Sequence, residues 1–399
     1  MPKHKEHLDR KKTRAINPVS FFLGFSQAVL IYVMSTYFKQ ASGNENVGGF
    51  YFIAYIILLF ILLNLYKLTR ALGKTSIFLL ILGLKIITLI FLSNLSPSIY
   101  GIIALMLYVL FSGLEWVSLD TLLESFSCDE ESGRIRGKHL TILNTGFLLG
   151  PFISTQILGK FDFYGVFSFL LIFNILVFFY ALLTLRDANE KPSVDISVVK
   201  LLKKVFKRKN VMAIYYISFV LEFFYALMII YMPIYLLDLG LDWDRIGVIF
   251  TIMLMPFVFL QYPMGFLADK KMGERRLLIF ALFIMATSTV IVYLTDSTSV
   301  LIWSLVMLGT RIGAAMVEIL RDSYFYKRID GNDVDLIGFF RTAMPVGYIL
   351  AASCSFLLLL FLSLSSMFIL SAVVVFSALI PAYYLVENKL FKKNKKLVR

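Results

Sequence analysis

Arg311, Glu318 and Asp322 stand seven and four positions apart within one long apolar run, and Arg321 flanks them. That spacing places all three on one face of a helix. A second apolar run carries Asp120 and Glu124 one turn apart, with Glu115 deeper inside, and two further runs add Glu222 and Arg341. A charged group at mid-bilayer costs roughly 2.5–3.5 kcal/mol on insertion scales, so one that persists faces a cavity or a partner. Such groups can exchange protons or hold a polar solute. Alternatively they form buried ion pairs that fix helix packing, such as Glu318 with Arg311 or Asp322 with Arg341. Pairing is the expectation for Asp120, Glu124, Arg321 and Asp322, and function for the deeper Glu115, Glu222, Arg311 and Glu318. Lys85, inside another apolar run, is expected to snorkel or to pair structurally.

The elements that position these groups are membrane helices. A chain of 399 residues with 59% hydrophobic side chains and 38 Phe is not a soluble domain, and its mean hydropathy of +0.80 agrees. The net charge of +13 follows the loops, which makes the anionic inner leaflet the expected partner and leaves no role for nucleic acid. Cys128 and Cys354 do not form a disulfide framework. Together with His4, His7 and His139 they are too scattered for a metal site, so neither metal nor cofactor is expected. The basic N-terminal segment leads into a full-length apolar run without a small-residue cleavage signal, which reads as an uncleaved first span.

Runs of about 20 apolar residues predict an all-α membrane protein with twelve transmembrane helices, at 18–38, 50–66, 75–92, 99–126, 139–158, 164–184, 211–237, 246–266, 277–294, 300–325, 338–361 and 367–386. Of the 39 Lys and Arg, 32 fall in segments on one side, three (Lys39, Lys160, Arg245) on the other, and four inside spans. Basic residues are retained in the cytoplasm, so both termini are expected there, in a multi-pass protein of the plasma (inner) membrane. The domain reading is a basic N-tail (1–17), a six-helix bundle (18–184), a cytoplasmic linker (185–210), a second six-helix bundle (211–386) and a basic C-tail (387–399). In the linker, Val198, Val199, Leu202, Val205 and Phe206 alternate at helical spacing with Lys200, Lys203, Lys204 and Lys207, as in an amphipathic helix on the inner leaflet.

The two halves repeat each other. Leu23 to Ala28 aligns with Leu221 to Ala226 at an offset of 198, Gly73 with Gly273 at 200, Gly137 and Gly146 with Gly338 and Gly347 at 201, and Asp120 with Asp322 at 202. A six-helix unit duplicated in parallel accounts for this.

Between the eighth and ninth spans runs Gly265-Phe266-Leu267-Ala268-Asp269-Lys270-Lys271-Met272-Gly273-Glu274-Arg275-Arg276. Gly265 would let one helix end approach a neighbour closely, and Gly273 would supply the positive φ of a tight reversal. In span five, Gly137, Gly146, Gly150 and Pro151 are spaced g-x8-G-x3-G-P, with Ser154 and Thr155 where a closing Gly-Gly would stand. The loop resembles the signature of the major facilitator superfamily, with one extra residue before the second glycine. The span-five spacing resembles the antiporter motif of its drug/proton exporters.

That resemblance implies the two-bundle fold of the superfamily, with spans one, four, seven and ten around a central cavity. Glu115, Glu222, Arg311 and Glu318 would then line the substrate path with Ser26, Gln27 and Tyr225. A partly desolvated carboxylate beside an Arg can exchange a proton at working pH, as proton coupling requires. Glu115 and Glu222 are the first expectations for the carriers and Glu318 the third. Asp269, with Gly265, Gly273, Arg275 and Arg276, is expected to form a gate, meeting the positive N-terminal end of span five or Arg134 and Arg136 and latching the cytoplasmic side shut.

The function expected is secondary active transport of a small solute by alternating access, as proton-coupled efflux of a drug-like or amphipathic compound by a monomer. The alternatives are proton-symport uptake of a nutrient and a non-transporting receptor or scaffold of the same fold. An enzyme is not expected. No G-x-x-x-x-G-K-[ST] is present, and the acids of Cys128-Asp129-Glu130-Glu131 have only His139 nearby in sequence to assist them.

Overall fold

The computed structural model describes residues 10–126, 132–185, 205–268, 272–328 and 334–386. Among them the regular structure is entirely helical. The helices are α1 (Arg10–Ile31), α2 (Met34–Ser42), α3 (Gly48–Leu72), α4 (Lys74–Leu92), α5 (Ile99–Phe126), α6 (Ser132–Leu185), α7 (Lys209–Asp238), α8 (Trp243–Phe259), α9 (Gln261–Leu267), α10 (Glu274–Leu294), α11 (Val300–Tyr326), α12 (Val334–Arg341), α13 (Ala343–Leu358), α14 (Ser366–Ser377) and α15 (Leu379–Tyr384).

Among the described residues, eleven helical stretches are long and apolar enough to cross a membrane. The difference from the twelve expected lies in spans five and six, two helices that meet at a kink without a loop and are counted together as α6. Its apolar stretch Thr141–Leu185 is 45 residues long. At 1.5 Å per residue that is about 68 Å, more than twice the roughly 30 Å of a hydrocarbon core. The helix breaks at Asp162, whose φ of 56° and ψ of −166° are non-helical. The Asp162 carboxylate accepts the N–H of Phe163 at 2.8 Å, so the residue that breaks the helix also caps the helical segment on its C-terminal side.

Proline sets three other breaks. The interruptions at Leu260, Thr342 and Ala378 each precede a proline by three residues, namely Pro263, Pro345 and Pro381. Proline removes a backbone donor and its ring collides with the carbonyl four residues back, so the helix gives way in the preceding turn. Spans eight, eleven and twelve are therefore each two short helices.

The chain divides into two compact units. Unit 1 is Met1–Val194 with Asp242–Thr251, and unit 2 is Asp195–Leu241 with Ile252–Arg399. In unit 1, Ile16, Val19, Leu23, Phe78, Leu82, Leu119, Leu122 and Leu143 form a buried cluster that joins α1, α4, α5 and α6. Outward-facing side chains are apolar as well: Leu183 and Phe361 are each 84% exposed, as a lipid solvent permits.

Glycines place α6 directly against α1. A Cβ on Gly146 would lie 2.3 Å from the Phe21 carbonyl oxygen, one on Gly150 would lie 2.3 Å from the Ala28 Cβ, and one on Gly24 would lie 2.2 Å from the Leu143 carbonyl oxygen. Only hydrogen fits at these three positions. Unit 2 repeats the contact, since a Cβ on Gly347 would lie 2.7 Å from the Glu222 Cβ and 3.0 Å from the Phe223 nitrogen. The loop glycines match too. Gly73 has φ 94° and ψ 159° and Gly273 has φ 79° and ψ 155°, a region that side chains scarcely enter.

Candidate functional site

Among the described residues, unit 2 brings together a group of polar side chains within its apolar helices. α11 presents Arg311, Glu318, Arg321 and Asp322, α7 presents Ser218, Glu222 and Tyr225, and α9 presents Gln261. The face expected from the spacing of Arg311, Glu318 and Asp322 is the one turned toward α7 and α9.

Arg321 is the hub of the ion pairs. Its Nη1 donates to Glu222 Oε1 at 3.0 Å and to Ser218 Oγ at 2.7 Å, and its Nε lies 3.4 Å from Asp322 Oδ1. Glu222 is thus held in an ion pair whose members are only 10% and 13% exposed. Its partner differs from either pairing expected for α11. Arg321 belongs with Glu222, and Glu318 does not pair with Arg311.

Glu318 has a different environment. Its Oε2 accepts the Tyr225 hydroxyl at 3.4 Å and Gln261 Nε2 at 3.2 Å. Both donors are neutral. Among the described residues Glu318 makes no ion pair, and it is half-buried.

Arg311 is 1% exposed. Its guanidinium carbon lies 5.1 Å from the Phe224 ring centroid and 5.6 Å from that of Tyr225. Those ring faces attract the cation without supplying an anion. Nη1 has no hydrogen-bond partner, and the guanidinium forms no ion pair among the described residues.

Unit 1 offers one deep pair. Lys85 Nζ donates to Glu115 Oε2 at 2.6 Å, and the two side chains are 0% and 2% exposed. Lys85 also lies 5.3 Å from the Tyr108 ring centroid. Glu115, expected first among the proton carriers, is therefore the counter-ion of Lys85, which pairs rather than snorkels. Ser26 does not line open space either. It is 3% exposed and accepts Asn174 Nδ2 at 3.0 Å. Gln27 donates to the Ser112 carbonyl at 3.4 Å. Ser20 and His139 lie 2.7 Å apart, a buried contact between α1 and α6.

The remaining expected residues are spread more widely. Asp120 is half-buried on α5, and Arg341 is half-buried in the last turn of α12. The Glu124 side chain, the surroundings of Gly137, Cys128 with the acids Asp129, Glu130 and Glu131, most of the linker helix and Asp269 lie outside the described residues. Around the loop glycine, Glu274 is 3% exposed and pairs with Lys327, tying the start of α10 to the end of α11. Arg275 lies over the Tyr383 ring at 5.1 Å, while Arg276 is exposed. Gly265 makes no close approach, since a Cβ there would meet Ile319 at an ordinary 3.7 Å. Gly146 and Gly150 sit in the α1 contact, and the Pro151 carbonyl accepts the hydroxyls of Ser154 and Thr155, both at 3.0 Å. The residues that stand where the closing Gly-Gly would be are thus satisfied locally.

Sequence reasoning missed Gln261, Asn174 and the link between Lys85 and Glu115. Gln261 and Asn174 are isolated amides in apolar runs, a signal present in the sequence. The Lys85 link joins residues 30 positions apart on separate helices, and no periodicity reveals it.

The sequence profile of the Major Facilitator Superfamily matches residues 16–330 and 245–399. Among solved structures, the crystal structure of the nucleoside transporter NupG, solved as a point mutant, superposes with a TM-score of 0.73 at 12% sequence identity, covering 94% of this chain and 99% of that one. At that identity the likeness is one of fold. A search of curated proteins gave no significant match.

Proposed function

Because the chain belongs to the major facilitator superfamily, a family of membrane transporters and not enzymes, we propose that it is a secondary active transporter that moves a small solute by alternating access and couples to protons through Glu318. Twelve crossings are part of this reading, with α6 crossing twice about Asp162. So are cytoplasmic termini, a plasma (inner) membrane location, anionic lipid at the basic loops and a monomeric state.

One observation carries the choice of proton carrier. Of the deep carboxylates, Glu115 and Glu222 are held by Lys85 and Arg321, whereas Glu318 is held by the neutral Tyr225 and Gln261. Protonating a paired carboxylate strands a buried cation, which is strongly unfavourable. Glu318 can take and lose a proton without stranding one. The charged and titratable groups around it are Tyr225 and Glu222 on α7 and Arg321 and Asp322 on its own helix, with Arg311 two turns earlier. Its closeness to Arg321 and Asp322 makes it sensitive to that network without binding it into a pair.

Two directions of coupling remain to be told apart. Efflux of an amphipathic or drug-like compound in exchange for protons is favoured by the Gly146, Gly150 and Pro151 spacing, although the contact with α1 accounts for those glycines without reference to transport. Uptake by symport is favoured by the unpaired Arg311 beside the proton site.

Proteoliposomes of the purified chain with an internal pH dye, given cationic drugs, sugars, nucleosides, amino acids and carboxylates in turn, test the proposal. The sign of the dye response separates exchange from symport. Solute-driven proton movement should vanish in Glu318→Gln while solute movement down its own gradient persists. Proton movement of wild-type size in Glu318→Gln would refute the assignment, and no flux of any solute would leave a receptor or scaffold.

A further inference from the structure

We infer that Arg311 is the binding site for an oxyanion on the transported solute, a carboxylate or a phosphate ester. This inference rests on the transport reading above and narrows it to a substrate class. A guanidinium buried to 1% exposure with no counter-ion among the described residues is costly to hold in a membrane helix. Two other deep cations are paired: Lys85 has Glu115, and Arg321 has Glu222 and Asp322. Arg311 alone of these three is flanked only by aromatic faces, and its Nη1 has no partner among the described residues.

The aromatic setting suits a waiting anion site. The ring faces of Phe224 and Tyr225 hold the planar group and partly offset its charge, without occupying the donors of its fork. That fork matches a carboxylate or phosphate with two parallel hydrogen bonds, which a Lys cannot reproduce. Glu318, seven residues along α11, could have neutralised Arg311 but turns to Tyr225 and Gln261 instead. Tyr225 touches both groups. Its ring lies against Arg311 and its hydroxyl is on Glu318, so the anion site and the proton site share one side chain.

The test uses the purified full-length chain and its Arg311→Gln and Arg311→Lys variants. Melting temperature and proteoliposome flux are measured with a library of carboxylic acids and phosphate monoesters, each paired with its amide or free alcohol, and with inorganic phosphate. The carboxylate and phosphate arms separate the two sources of the oxyanion. We expect at least one acid to raise the wild-type melting temperature and move across the membrane while its neutral partner does neither. Arg311→Gln should weaken that response by about 10- to 150-fold, the range for a charged hydrogen bond, and Arg311→Lys should keep part of it. Without ligand, Arg311→Gln should melt no lower than wild type, because it relieves an unpaired charge. A fall in the ligand-free melting temperature of both variants, with flux unchanged in what remains folded, would make Arg311 structural and overturn the inference.

The other outcomes are also decisive. Flux of neutral or cationic solutes with no response to any acid would sink the anion site and leave transport standing. Anion-dependent stabilisation without flux would keep the site and reject transport. Neither flux nor stabilisation would reject both.

Discussion

Replacing Lys85 by Met leaves the Glu115 carboxylate at 1% exposure without its counter-ion. The pair it breaks is short, 2.6 Å, and excludes solvent from both members. Removing one partner of a buried ion pair costs about 3–5 kcal/mol, because the remaining charge is uncompensated, while replacing both by apolar groups of similar volume is near neutral. For a cooperative unit of 150–250 residues, the size of unit 1, each kcal/mol moves the midpoint by about 2–4 °C. Lys85→Met should therefore lower the melting temperature of the detergent-solubilised protein by roughly 6–20 °C. Glu115→Leu should do the same, and the double variant Lys85→Met, Glu115→Leu should recover most of the loss. The cycle is read by the fluorescence of a thiol dye or of intrinsic Trp during heating, with proton-coupled flux measured on each protein. Additive losses, with a coupling energy near zero, would refute the pairing argument. Loss of coupled flux in the thermally recovered double variant would return Glu115 to the transport path, where the sequence alone had put it.

Two further outcomes concern the helix contacts and the loop. Gly146→Ala forces a Cβ to within 2.3 Å of the Phe21 carbonyl, so α1 and α6 must part and about 1–3 kcal/mol should be lost; Gly265→Ala, with its nearest neighbour at 3.7 Å, should melt as wild type, and equal losses in the two would count against the packing account. Asp269 lies outside the described residues, and its expected latch is tested by function: Asp269→Asn should change the transport rate and the labelling of cytoplasmic cysteine probes several-fold, as a contact of about 0.3–2 kcal/mol allows, and no change in either would remove the latch.

The fold was legible where a residue type is forced by geometry. Gly73 and Gly273 occupy a backbone region open to glycine, and their spacing is one of the matches that reveal the repeat. Gly146 and Gly347 were legible for the same reason, since each sits where another helix backbone or Cβ leaves no room. The break at Asp162 was less so. The sequence showed two apolar runs, and the two helices they form meet without a loop at a single aspartate whose carboxylate accepts the N–H of the next residue. Within the site, the helical face of Arg311, Glu318 and Asp322 could be read from spacing, but the choice of partners could not. Arg321, which spacing left beside the stripe, is the residue that pairs with Glu222, because Ser218 one turn earlier on α7 holds the same guanidinium nitrogen. Which carboxylate stays unpaired depends on three helices at once.

The repeat also indicates which charges the fold itself does not need. At the local offsets of the repeat, 198 as for Leu23 to Ala28, 200 as for Gly73 and 202 as for Asp120, Glu222, Arg311, Glu318 and Arg321 of unit 2 stand opposite Gly24, Val109, Trp116 and Leu119 of unit 1, while Lys85 and Glu115 stand opposite Met285 and Val317. The same helical framework is built in one unit without the charges of the other, so those charges answer to something besides folding. In unit 1 they cancel as one closed pair. In unit 2 they leave a cation and an anion unpaired on one face of α11, seven residues and so about 10.5 Å apart along the helix. Taking that rise as the separation of the charges, they attract by about 1.6 kcal/mol at an effective dielectric of 20, which is a factor of about fifteen. An oxyanion that neutralises Arg311 removes this attraction, so its binding and that of a proton at Glu318 favour each other by that factor, reciprocally. A cationic solute drawn to Glu318 would instead displace the proton. The charge of the solute thus sets the sign of coupling: with an anion at Arg311 solute and proton travel together, and a dye response in the exchange direction would place the solute on the Glu318 side of Tyr225.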